Sequence, residues 1–105
     1  MTAISRREMI EAMLAETPND PELRYMQAME YVSEADDAQA VRCFQELIRL
    51  APDYPPAYHQ GGRALQRLGR ISEARALLSQ GIGLAEKKGD LHAAGEMTEL
   101  LQNLG

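Results

Sequence analysis

The sequence predicts an all-α fold of antiparallel helix pairs, about six helices in all. Three observations predict it. Leu, Ala, Met, Glu, Gln and Arg, all strong helix formers, are plentiful, whereas aromatics make up 5% of the chain and Trp is absent. Apolar residues recur at helical spacing in six runs, each bounded by Pro, Gly, Ser or Asp. The chain also lies on itself when shifted by 34 residues.

The first helix is predicted to start at Ser5. Ser5-Arg6-Arg7-Glu8 has the capping-box form, in which the Ser oxygen and the Glu carboxylate each take a free backbone N–H. Met9, Ile10, Met13 and Leu14 make its apolar stripe. It stops by Thr17, because Pro18 disfavours the α conformation before it. Asp20 then caps a second helix with Pro21 in its first turn, where a missing N–H costs nothing. This helix carries Leu23, Met26, Met29, Tyr31 and Val32 and ends near Ser33-Glu34.

Asp36-Asp37 caps the third helix, with Ala40, Val41, Phe44, Leu47 and Ile48 inside it. Pro55-Pro56 opens the fourth, which runs to about Leu68, and Gly69 supplies a left-handed stop. Ser72 is expected to cap the fifth, running to about Glu86. Lys87-Lys88 suits the negative end of its dipole, and Gly89 ends it. Asp90 caps the last helix, from Leu91 to about Asn103. Every connection is short, so neighbouring helices are antiparallel.

The shift of 34 superposes Pro18 on Pro52, Pro21 on Pro55, Ala28 on Gly62, Ala40 on Ala74, Phe44 on Leu78 and Ile48 on Ile82. This period, with two helices per unit, resembles the tetratricopeptide repeat family. Tyr58, Gly61-Gly62, Ala74 and Leu78 stand at the family's aromatic, Leu-Gly, small and bulky positions. Tyr31, Ala40, Phe44 and Pro52 do so in the preceding unit. The resemblance implies one domain over residues 1–105: a half repeat at 4–18, repeats at 21–54 and 55–88, and a capping helix at 90–104. Two departures stand out. Arg24 replaces the family's Trp, which should anchor that helix end less well, and Glu86 replaces the closing Pro. Gly81 and Gly83 should weaken the fifth helix by about 1 kcal/mol each if it is regular there. The last helix fits best one residue out of phase, with Leu91 on Tyr58 and Ala94-Gly95 on Gly61-Gly62. Ala28, Gly62 and Gly95 are then expected to permit close helix approach.

The formal net charge of −5 argues against sequence-independent nucleic-acid binding, which needs a basic surface. A single cysteine, Cys43, leaves no internal disulfide and reads as a small buried hydrophobe. The first residues show no apolar signal segment and no run spans a membrane, so a cytoplasmic protein without a membrane partner is expected. No nucleophile–base set, carboxylate pair or phosphate-cradling loop has a distinctive spacing, so no enzyme, cofactor or metal is expected. His59, His92 and Glu96 lie on neighbouring helices, but without the spacing of zinc motifs.

The resemblance further implies a concave groove, lined by the first helix of each pair, that binds a peptide or protein segment. Its residues here are Tyr25, Met29, Val32 and Ser33; His59, Arg63, Gln66 and Arg67; and His92, Glu96 and Glu99. His59, Arg63 and Arg67 share one helix face, and such a basic strip beside Tyr25 and Met29 would suit a peptide carboxylate. The bland reading is a solvated face paired with nearby acids. The alternative function is an assembly piece that self-associates into a homo-oligomer through its ends. Met9, Ile10, Met13 and Leu14, or Leu91, Leu100, Leu101 and Leu104, would supply the contact.

Overall fold

Side-chain caps and left-handed turns divide the chain into six helices among the described residues, which are 3–104 of a computed structural model. Met1, Thr2 and Gly105, the ends of the expected 1–105 domain, lie outside them. The helices are α1 (Arg6–Glu16), α2 (Pro21–Ser33), α3 (Asp37–Leu50), α4 (Pro55–Arg67), α5 (Ile71–Lys87) and α6 (Leu91–Gln102). The side-chain oxygens of Ser5, Asp20, Asp36 and Asp90 each accept from a backbone N–H in the first turn that follows. Each helix packs on the next in sequence, giving a row 48 × 28 × 20 Å in extent.

The turns after α2, α4 and α5 share one geometry. Asp36 N donates to Tyr31 O at 2.9 Å, Arg70 N to Leu65 O at 2.9 Å, and Asp90 N to Ala85 O at 2.8 Å. This is the six-to-one bond that closes a helix over a left-handed residue. The left-handed residues are Ala35, Gly69 and Gly89, with φ of 59°, 77° and 75°. The turn therefore makes the same residue end one helix and cap the next. That corrects the expected start of the fifth helix: Arg70, not Ser72, is its N-cap, and Ser72 lies inside α5. Arg70 makes no side-chain cap bond and pairs with Glu73 instead.

The main core runs through α2 to α6, with Phe44, Leu47, Leu78 and Met97 its largest fully buried side chains. Small residues let the helices meet. A methyl on Gly62 would come within 2.6 Å of Leu78, and one on Gly61 within 2.9 Å of Leu77. Gly81 is equally constrained, since a methyl there would meet Tyr58 Cβ and Met97 Sδ at 2.6 Å. Gly95 is not: nothing lies within 4 Å of the position its Cβ would take, and Leu91 is 74% exposed where Tyr58 is buried. Ala94 is buried as Gly61 is, so the expected correspondence of α6 with α4 departs at Leu91 and Gly95, and for a simple reason. Helix α4 lies between α3 and α5, whereas among the described residues α6 has no helix following it.

Arg24 also departs from expectation. Its Nε donates to Pro18 O at 2.7 Å, and one repeat later Tyr58 Oη donates to Pro52 O at 2.7 Å. The two side chains differ, yet both tie the start of a helix to the proline carbonyl before it. Helix α1 is held differently. Ile10, Leu14 and Leu23 form a small cluster apart from the main core. Arg6 pairs with Glu30, and Arg7 with Glu34, while the Arg7 guanidinium lies 5.1 Å from the Tyr31 ring centre.

Candidate functional site

Two adjoining recesses lie between α4 and α6. The first, about 310 Å³, has Tyr25, Pro55, Pro56, Ala93 and Met97 as an apolar shelf, with His59, Gln60, Asp90, His92 and Glu96 around it. The second, about 390 Å³, is lined by His59, Arg63, Gln66, Glu96, Glu99, Leu100 and Asn103. His59 and Glu96 belong to both and mark where the recesses join. Helical spacing explains the α4 wall: His59, Arg63 and Gln66 fall on successive turns of one face. Glu96, Glu99 and Asn103 do the same on α6. Tyr25 is oriented by packing, its ring 6.2 Å from Phe44 and 5.7 Å from Tyr54, both tilted.

The expected groove residues divide accordingly. Tyr25, His59, Arg63, Gln66, His92, Glu96 and Glu99 line the recesses. Met29 and Val32 do not; they are half-buried against the main core. Ser33 is exposed, and its hydroxyl donates to Glu30 O at 2.7 Å. Arg67 is turned away to α3, where its Nε and Nη2 reach the Asp37 carboxylate at 2.9–3.1 Å. The basic strip therefore does not persist, and for Arg67 the bland reading holds. Pro55 and Pro56 read in the sequence only as a helix start and Met97 only as an apolar position of the last helix, and Ala93 carries no signal at all. Their place on the shelf follows from α6 lying across the start of α4, which no local pattern encodes.

The electrostatics of the recess turn on His59. Burial pushes its imidazole below the usual range, Glu96 pulls it back up, and Arg63 adds to the lowering. His92 Nε2 lies 3.1 Å from Glu96 Oε1, one turn apart. Among the described residues Arg63 and Glu99 make no ion pair. Asp90 is committed to its own helix, accepting from Ala93 N at 3.1 Å. No three His, Cys, Asp or Glu side chains converge as metal ligands among the described residues. Cys43 is half-buried and its thiol is pushed up by desolvation, which keeps it protonated. A more open hollow of about 710 Å³ lies at the Thr17–Glu22 segment against Tyr54, but walls from a single loop and helix start converge little chemistry. No described helix is long and apolar enough to cross a membrane.

The tetratricopeptide repeat family model matches residues 21–54 and 55–88. A tetratricopeptide repeat domain protein from Salinibacter ruber, known from its solution structure, is 30% identical. The match covers 83% of this chain and 88% of that one, with a TM-score of 0.78. A crystal structure of a tetratricopeptide repeat domain protein from the same organism gives 29% identity over 81% and 94%, with a TM-score of 0.76. The solution structure of a Bordetella parapertussis protein is 25% identical over 97% and 89%, with a TM-score of 0.85. No curated protein matches the chain.

Proposed function

The chain belongs to the tetratricopeptide repeat family, and we propose that it binds a segment of a partner protein in the recess between α4 and α6. Repeats of this family are generally protein-interaction modules and non-enzymatic scaffolds. The observation that carries the finer reading is the pair of joined recesses, with an apolar shelf at one end and a cluster of polar side chains at the other, of which Arg63 and Glu99 make no ion pair among the described residues. An apolar wall gives a bound segment somewhere to bury a side chain, and a few placed polar groups give it register. Binding is tested by panning a random dodecapeptide display library against the protein. Ala93→Arg, which fills the shelf, should weaken the recovered peptides at least ten-fold. Met9→Glu with Leu91→Glu should leave them unchanged. The opposite pattern would overturn the reading.

A second reading, self-association through the ends, has its own support. Met9 and Met13 on α1 are 54% and 50% exposed, and Leu91 on α6 is 74% exposed. Leu100 and Leu101 are half-buried against the core, Leu100 facing the second recess, and Leu104 is buried, so these three offer less to an end-to-end contact than Leu91 does. Light scattering tests this reading. A mass that rises with concentration above 11.7 kDa, and returns to it in Met9→Glu, would favour association; a constant mass would exclude it.

A further inference from the structure

The charge balance of the recess names the chemistry of its occupant. Arg67, the second arginine of the α4 face, is held by Asp37 on the far side and contributes nothing to the recess. Arg63 remains as the one guanidinium lining it among the described residues. Against it stand Glu96 and Glu99, one turn apart on the α6 wall. Asp90, at the rim, answers the positive end of its own helix. The recess is therefore acidic on balance, in a chain whose formal net charge is −5.

We propose that the α4–α6 recess takes a basic peptide segment, with an apolar side chain on the Tyr25–Pro55–Met97 shelf and a neighbouring Lys or Arg on Glu96 and Glu99. This rests on the recess being the binding site, and it reverses the polarity that the α4 face alone suggests. The two carboxylates lie beside the shelf rather than on it. An apolar residue seated on the shelf thus brings the next side chains toward the α6 wall. Arg63, on the opposite wall, is left to meet backbone carbonyls or to repel a misplaced cation, which would fix the direction of the segment. Acid should weaken the complex. His59 lines both recesses, facing Arg63 on its own helix, Glu96 and Glu99 on the α6 wall and Asp90 at the rim, and a proton gained there cancels part of the charge that the carboxylates supply.

The test uses three fluorescein-labelled peptides of alternating Leu with Lys, Glu or Gln, titrated by anisotropy against the full chain. The Lys peptide should bind about ten-fold tighter than the Gln peptide at low ionic strength, with the advantage shrinking in about 0.5 M salt. Glu96→Lys with Glu99→Lys should make the Glu peptide the tighter ligand. A control with the same change in net charge, Glu16→Lys with Glu86→Lys, should leave the order unchanged. Equal loss in the control would show attraction to the protein's overall charge and overturn the assignment. So would a Glu or Gln peptide binding as tightly as the Lys peptide while still losing affinity in Ala93→Arg, and that outcome would leave the recess standing as a site. If no peptide senses Ala93→Arg, the recess itself fails as the site and the assignment fails with it.

Discussion

Gly81 and Gly83 lie two residues apart in α5, yet their surroundings differ. A methyl on Gly81 would strike Tyr58 and Met97, whereas Gly83 has open space around it. Gly81→Ala should therefore cost about 1–3 kcal/mol through overpacking. Gly83→Ala should gain about 0.5–1 kcal/mol by restricting the unfolded chain. Urea-unfolding midpoints should move in opposite directions. Ala35 offers a complementary case. It holds the left-handed position that Gly69 and Gly89 hold in the equivalent turns. An L-residue pays about 1–2 kcal/mol there, of which Gly would return a part after its own entropy cost. Ala35→Gly should raise the midpoint, and a fall would mean that the turn is not closed as described. Ala35 itself carries no glycine signal; the shift of 34 sets it on Gly69, and the six-to-one bond from Asp36 to Tyr31 closes its turn in the same way.

At the scale of elements, α1 stands apart. Its apolar contact is the small Ile10–Leu14–Leu23 cluster, and its other ties to α2 are ion pairs and the Arg7–Tyr31 contact. Helices α3, α4 and α5 instead share the continuous core. Hydrogen exchange should therefore find α1 amides opening at lower free energy than those of α3 to α5. Added salt should widen the gap, because it screens the α1 pairs and leaves the apolar core intact. Uniform protection across all six helices would contradict this. Caps and breaks made the elements legible: Ser5, Asp20, Asp36 and Asp90 cap where their spacing predicts. The one start misplaced, at Ser72, was set by the turn geometry and not by a capping side chain.

At the scale of the whole molecule, the repeat made the fold legible and left the site half-written. Periodicity encodes which face of a helix meets its neighbour, so Phe44, Leu78, Ala40 and Ala74 could be placed in the core from spacing alone. It does not encode which charged side chain turns inward. Arg63 and Arg67 share a face of α4, yet Asp37 takes one of them out of the recess. Nor does it encode how far α6 slides along α4, which decides that Ala93 and Met97 join Tyr25 and His59. If this junction is the binding face, an amide NMR titration with a peptide from the display library should shift Tyr25, His59, Arg63, Ala93, Glu96 and Leu100, with α1 silent. Shifts gathered on Met9, Met13 and Leu91, with the recess silent, would contradict it.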